Sequence, residues 1–124
     1  MNDGDRRGNS RQRGYTAEWE RAAAAFQREN PLCRGCLALG RVTASELVDH
    51  VVPHRGDREL FWDQSKWQSS CRWHHDVIKA RLERMVDERS IDADQLWLDS
   101  KTAKSLAKLY PRRPTTVGLD GWPR

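Results

Sequence analysis

Three cysteines and one histidine stand in two pairs that have the spacing of a structural metal site. Cys33 and Cys36 form C-x-x-C around Gly35, and Cys71 and His74 form C-x-x-H, with 34 residues between the two pairs. Thiolate and imidazole donors in such pairs are typical of a tetrahedral structural zinc. The alternatives are a reduced, buried cysteine pair with an unrelated Cys71, or a thioredoxin-like redox pair. The redox alternative is disfavoured because no hydrophobic strand precedes Cys33.

A second group of side chains could hold a different kind of ion. Asp49 and His50 lie in a β-branched run, and His75 lies at the start of a predicted helix, next to His74. Because neighbouring helical residues project about 100° apart, the two adjacent histidines can face different sites. A carboxylate and an imidazole suit a hard divalent ion that keeps water, and an unliganded histidine can act as general base. The pattern also fits an ion pair or a capped helix end. Lys79, one turn beyond His75, could reach a phosphate or could equally be solvated.

Hydrophobic spacing and capping residues predict the elements that position these side chains. An apolar stripe at i, i+3, i+4 and i+7 follows the candidate N-cap Thr16, and Ser100 can cap a last helix. The β-branched run that ends at Pro53 indicates a strand, with which a weaker second strand could pair. The predicted elements are helices at about 17–29, 72–88 and 101–109, and strands at 47–52 and 66–70.

The composition limits the chain to one compact domain. It has 124 residues, of which 37% are hydrophobic and 32% charged. No apolar run approaches the ~18 residues of a membrane span and no secretory h-region is present, so we expect a soluble protein of a reducing cytosol. The net charge of +4 comes from the two ends, since 15–110 carries 15 basic and 15 acidic residues. We therefore expect a disordered basic arm at 1–13, one domain at 14–110 and a flexible tail at 111–124.

Five motifs, in order and at family spacing, resemble those of the phage-type HNH endonucleases. They extend over about residues 13–85. The resemblance implies an α+β fold class, namely a small ββα-metal (HNH) domain with flanking helices and a structural zinc knuckle. Its two strands and one helix would surround a catalytic divalent metal, which could be magnesium, manganese or nickel. The motifs are R-G-Y-T-A-E-W from Arg13, P-L-C-R-G-C from Pro31, V-D-H-V-V-P-H-R-G-D from Val48, L-F-W-D-Q-S-K-W-Q-S-S-C from Leu60 and W-H-H-D-V-I-K from Trp73.

The resemblance also implies a role for each candidate residue. His50 would activate water, and Asp49 and His75 would hold the catalytic metal, although strand alternation sends Asp49 and His50 to opposite faces. The asparagine that names the motif is replaced by Lys66. In the family that asparagine braces the loop carrying the general base, so Lys66 is a candidate catalytic residue that affects efficiency or meets a phosphate. The structural zinc would be held by Cys33, Cys36, Cys71 and His74, with His74 in place of the usual cysteine.

The resulting hypothesis is a metal-dependent endonuclease that hydrolyses phosphodiester bonds of double-stranded DNA and leaves 5′-phosphate and 3′-hydroxyl ends. The resemblance further implies a phage or prophage protein of the bacterial host cytoplasm, linked to DNA packaging. Its partners would be the terminase large subunit or the portal, with no membrane partner. One alternative is a catalytically impaired, zinc-stabilised adaptor that binds DNA or terminase. Another is a purely structural zinc module in which Asp49 and His75 are incidental.

Overall fold

The computed structural model describes residues 13–110, so the predicted arm, apart from Arg13, and the predicted tail at 111–124 lie outside the described residues. None of the described helices is long and apolar enough to cross a membrane. The elements in chain order are α1 (Ala17–Glu29), α2 (Arg34–Ala38), β1 (Leu47–His50), α3 (Arg58–Phe61), a 3₁₀ turn (Gln64–Lys66), β2 (Trp67–Ser70), a π-helical segment (His74–Lys79) that continues into α4 (Ala80–Asp87), a second 3₁₀ turn (Ala93–Leu96) and α5 (Lys101–Leu109).

The sheet has two antiparallel strands, β1 and β2, in which His50 pairs with Trp67. Each strand is four residues long, which is too little for a two-stranded sheet to be stable without other elements packed on it. Here α1 packs against β1, and the helix that follows β2 completes a strand, strand, helix order. The expected α+β class, with two strands and a helix at its centre, is confirmed.

The strand ends differ from the predicted ones. β1 was expected at 47–52 but ends at His50, where the chain bends, although the Val51 N–H still donates to the Lys66 carbonyl at 2.8 Å. β2 was expected at 66–70 but begins at Trp67, because Lys66 belongs to the preceding 3₁₀ turn. Both predicted ends are wrong at the point where the two strands separate, because local β-propensity does not reveal where pairing stops.

Helices α1 and α5 occupy the predicted ranges because their N-caps form. The Thr16 hydroxyl accepts the Trp19 N–H at 3.4 Å, and the Ser100 hydroxyl accepts the Ala103 N–H at 3.0 Å. The two helices bury their apolar stripes in separate clusters. The α5 cluster contains Val51, Ile78, Leu82, Leu96, Leu98 and Ala103. The α1 cluster contains Trp19, Phe61 and Trp67, with Ala22, Ala23 and Phe26 packed against them.

The predicted helix at 72–88 is present, but its first part is π-helical over His74–Lys79. A π-helix forms i→i+5 hydrogen bonds and often occurs at functional sites. Within this segment His74 is buried, whereas the side chain of His75 is 43% exposed. The two adjacent histidines therefore point to different surroundings, as the helical spacing predicted.

Candidate active site and thiol cluster

Cys33, Cys36, Cys71 and His74 lie together where β2 ends, and we call these four residues the thiol cluster. The Cys33 sulfur caps α2 by accepting the Cys36 N–H at 3.5 Å, and the Cys71 sulfur accepts the His74 N–H at the same distance. Nδ1 of His74 lies 3.4–3.5 Å from all three sulfur atoms. Sγ of Cys36 and Sγ of Cys71 are 3.8 Å apart. All four side chains are buried.

A tetrahedral zinc ion fits the thiol cluster. Bonds of about 2.3 Å to sulfur and about 2.0–2.1 Å to nitrogen separate two sulfur atoms by about 3.8 Å and a sulfur from a nitrogen by about 3.6 Å. The Cys36–Cys71 sulfur distance and the three nitrogen–sulfur distances are close to these values, and all the ligand atoms lie within 4.8 Å of one another. Hydrogen bonds from Cys33 and Cys71 lower the pKa of the Cys36 thiol and so favour the thiolate that binds metals. The structure thus brings the four predicted residues into a group that could bind zinc.

Gly35 has a role in the thiol cluster that its spacing did not reveal. A Cβ atom on Gly35 would lie 2.3 Å from Cδ2 and 2.4 Å from Nε2 of His74, whereas ordinary contacts begin near 3.4 Å. The absence of a side chain at position 35 leaves room for the imidazole. The signal in the sequence was the glycine itself, at the centre of the C-x-x-C turn.

The second group of predicted residues converges on a cavity of about 500 Å³, which we call the active-site cavity. Asp49 and His50 both line it, although they are consecutive in a strand. The reason is that β1 ends at His50 and the chain bends there, so strand alternation no longer separates the two side chains. His75 lines the same cavity from the π-helical segment. Other lining residues include Tyr15, His54 and Glu83.

Asp49 and His75 face each other in this cavity. Oδ1 of Asp49 lies 3.8 Å from Nε2 of His75. Adjacent ligands of an octahedral ion with bonds of about 2.0–2.1 Å lie about 2.9 Å apart, so the two side chains would close by about 1 Å to share one cation. Nδ1 of His75 donates to the Asp76 carboxylate at 2.9 Å, which directs the lone pair of Nε2 toward Asp49. Asp49 and His75 could therefore hold a metal in this cavity.

Lys79 is neither solvated nor available to a phosphate, so both sequence-based expectations for it are wrong. Its side chain is 2% exposed, and its ammonium donates to the His50 carbonyl at 2.9 Å and to Glu83 Oε2 at 2.8 Å. The ammonium also forms an ion pair with Asp49 Oδ2 at 3.0 Å, so its charge is paired with two carboxylates inside the domain. Gln68 also donates to Oδ2 of Asp49, at 2.9 Å. Lys79 and Gln68 together fix one oxygen of Asp49 and leave Oδ1 toward His75.

A backbone carbonyl sets the tautomer of His50. Its Nε2 lies 3.0 Å from the Phe61 carbonyl. Because a carbonyl only accepts, Nε2 carries the proton and Nδ1 keeps a lone pair. The Trp19 ring stacks on the imidazole, with centroids 4.8 Å apart and planes at 21°. Burial lowers the pKa of His50 from its usual 6.5, so the ring stays neutral and basic in mildly acidic solution.

Lys66 and His54 occupy different positions relative to the cavity. Lys66 is exposed and does not line the cavity, and its side chain makes no hydrogen bond or ion pair within residues 13–110. His54 lines the cavity but has its own partners, because Nδ1 accepts the Gly56 N–H at 3.2 Å and Nε2 lies 3.0 Å from the Tyr15 hydroxyl. His54 is therefore held by hydrogen bonds within its own loop and to Tyr15.

A solved structure is similar to this chain over most of the described fold. It is the crystal structure of the HNH endonuclease of deep-sea thermophilic bacteriophage GVE2 with manganese ion. The two sequences are 32% identical, and the superposition has a TM-score of 0.53 and covers 66% of this chain and 91% of that chain. No protein-family model and no curated protein matches the chain.

Proposed function

This chain belongs to the HNH endonuclease family, and we propose that it cuts double-stranded DNA at the active-site cavity with the help of a divalent metal. The observation that carries the proposal is the convergence of three side chains, Asp49, His50 and His75, on one cavity. They supply an anionic oxygen and an imidazole for a metal, and a separate neutral imidazole for a water molecule. Manganese is a natural candidate because the similar phage structure was solved with that ion. Magnesium and nickel are the other candidates, since a carboxylate suits magnesium and an imidazole suits nickel.

In the proposed reaction His50 acts as general base. Nδ1 of His50 accepts a proton from the water that attacks the phosphorus in line with the departing 3′-oxygen, and the products carry 5′-phosphate and 3′-hydroxyl ends. A divalent cation on Asp49 and His75 would supply positive charge to the phosphate oxygens and to the leaving group. The Phe61 carbonyl holds the proton of His50 on Nε2, so Nδ1 is the nitrogen that is left to accept a proton.

A structural zinc in the thiol cluster is the second part of the proposal. The cluster fastens α2 to the start of the helix that carries His75, since Cys33 is the N-cap of α2, Cys36 lies within α2 and His74 lies at the start of the other helix. Zinc bound there would fix the position of His75 relative to β1. Its function is therefore to hold the catalytic residues in place rather than to take part in the chemistry.

The biological setting that we propose is a phage or prophage protein in the cytoplasm of a bacterial host, acting beside the packaging machinery. Support comes from the phage origin of the similar structure and from the motif resemblance described above. The terminase large subunit and the portal are the proposed partners. Co-purification of this chain with a terminase encoded beside it tests this part separately from the nuclease activity.

One observation favours a second candidate function, a DNA-binding or terminase-binding adaptor that does not cut. Lys66 stands where the family motif has asparagine, and its side chain has no hydrogen-bonding partner in the described part of the chain. An adaptor would keep the zinc-stabilised fold and bind DNA without hydrolysing it.

Cleavage of supercoiled plasmid separates the two functions. Protein loaded with zinc and freed of excess metal is incubated with plasmid and manganese, magnesium or nickel, or with a chelator too weak to remove the zinc. The endonuclease proposal predicts metal-dependent nicked or linear DNA, and loss of at least about 100-fold in rate for His50→Ala. Plasmid binding without cleavage under any of the metals would support the adaptor instead.

A further inference from the structure

We propose that Trp67 is a positioning residue for the general base, because its indole N–H holds the carbonyl that orients His50. The proposal deepens the function proposed above and depends on His50 being the base. Trp67 does not line the active-site cavity. It acts through one backbone atom, the Phe61 carbonyl oxygen.

The Phe61 carbonyl accepts two hydrogen bonds from two different rings. Nε2 of His50 donates to it at 3.0 Å, and Nε1 of Trp67 also donates at 3.0 Å. A carbonyl oxygen has two lone pairs, so both are in use. The indole therefore fixes the same atom that sets the tautomer and the direction of the His50 ring.

This carbonyl needs a second partner because of where it lies. Phe61 is the last residue of α3, and the last carbonyls of a helix receive no hydrogen bond from an N–H of the same helix. The N–H groups that follow it bond elsewhere, Trp62 to Arg58 and Leu60, and Asp63 to Leu60. Without the indole, the only described donor to the Phe61 oxygen would be the histidine that it is meant to hold.

Trp67 is rigid enough for this role. Its side chain is 2% exposed, and it is the β2 residue paired with His50 across the sheet. Edge-on contacts with Trp19, at 4.9 Å between centroids, and with Phe26, at 5.7 Å, fix its ring from two sides. Within the described residues the neighbouring Lys66 side chain forms no hydrogen bond to the Phe61 carbonyl. Trp67 thus braces the loop that precedes it.

Trp67→Phe removes the N–H and keeps an aromatic ring in the cluster. Because a misplacement of catalytic groups by about 1 Å can cost about 100-fold in rate, we expect kcat on plasmid to fall between about 10- and 100-fold while KM stays within twofold. Proton–nitrogen NMR of the zinc-loaded protein provides a readout that a merely structural role would not change. The Nε2 proton of His50 should exchange with solvent about 5-fold faster or more, because the Phe61 carbonyl that accepts it is no longer held by the Trp67 indole.

Trp62→Phe is the matched control, because Trp62 lies in the same aromatic group, 6.3 Å from Trp67 between centroids, and is not bonded to the Phe61 oxygen. It should leave kcat and the exchange of the His50 proton unchanged within twofold. Equal kcat and equal exchange in Trp67→Phe and wild type would overturn the proposal.

The wild-type protein provides a test that needs no substitution, should Trp67→Phe fail to fold. A slowly exchanging proton on Nε2 of His50 supports the proposal, and a proton on Nδ1 overturns it. These NMR results do not depend on cleavage. A wild-type protein that cuts no DNA with any metal would contradict the proposed function. The position of the His50 ring proton would still decide whether Trp67 orients that ring.

Discussion

Gly35→Ala should disable the thiol cluster without removing any of its ligands. The new Cβ would lie 2.3 Å from Cδ2 of His74. To reach an ordinary contact near 3.4 Å, the imidazole must retreat by about 1 Å, whereas metal–ligand distances tolerate only about 0.2 Å. The surrounding residues restrict this movement, because the imidazole is buried and the Trp73 ring packs against it with centroids 4.8 Å apart. We therefore expect loss of the His74 ligand.

The cost of Gly35→Ala follows from two effects. Loss of an outer-shell partner of a metal ligand already lowers metal affinity by about 10–100-fold, so displacement of the ligand should cost at least about 100-fold, equivalent to about 2.7 kcal/mol. Overpacking of the buried turn adds about 1–3 kcal/mol. The total is about 4–6 kcal/mol, a large part of the roughly 5–15 kcal/mol by which a small domain is stable.

Two measurements check this prediction. Metal analysis and competition with a chromophoric chelator give the zinc content and affinity, and thermal unfolding followed by circular dichroism gives the stability. Gly40→Ala is the control, since nothing lies within 4 Å of the added methyl group. Only the backbone strain at its φ of +78° should destabilise this variant. That strain costs about 1–2 kcal/mol and should leave one zinc per chain. A Gly35→Ala protein that binds zinc as tightly as wild type would refute the reasoning.

Three further predictions concern the active-site cavity. Lys66→Asn should leave the fold intact and keep or raise the cleavage rate, since the exposed Lys66 side chain forms no hydrogen bond or ion pair within residues 13–110. A large loss of rate with unchanged metal binding would show that this ammonium meets a phosphate. Lys79→Met should destabilise the domain by about 3–5 kcal/mol in urea unfolding, because it leaves the Asp49 carboxylate buried without its cation, whereas the exposed Lys104→Met should change stability by less than about 0.5 kcal/mol. Because burial lowers the pKa of His50, and the base works only when neutral, the cleavage rate should fall with acid at a midpoint below pH 6.5; a midpoint at or above 6.5 would contradict this assignment.

The sequence predicts the two outer helices and the thiol cluster because each depends on local chemistry. Thr16 and Ser100 are good N-caps in front of regular apolar stripes, so the bounds of α1 and α5 follow from residues within one turn. Paired C-x-x-C and C-x-x-H turns have the ligand spacing of structural zinc sites. The structure brings those four residues together.

The active-site cavity could be predicted only in part, because its geometry depends on tertiary contacts. Local alternation places Asp49 and His50 on opposite faces, and only the end of β1 brings both to one cavity. The burial of Lys79 depends on the π-helical segment and on acceptors from β1. Gln68 gave no signal, since a glutamine in a short strand is more often exposed than bonded to a buried carboxylate.

The most direct test of the central claim compares His50→Ala with Asp49→Ala in zinc-loaded protein, measuring both manganese affinity and plasmid cleavage. His50 is proposed to touch water and not the metal, so His50→Ala should cut at least about 100-fold more slowly while binding manganese nearly as wild type does. Asp49→Ala removes the anionic ligand, so it should bind manganese weakly and regain some cleavage at high manganese. A His50→Ala protein that cuts at the wild-type rate, or whose defect excess manganese repairs, would contradict the assignment of His50 as the general base.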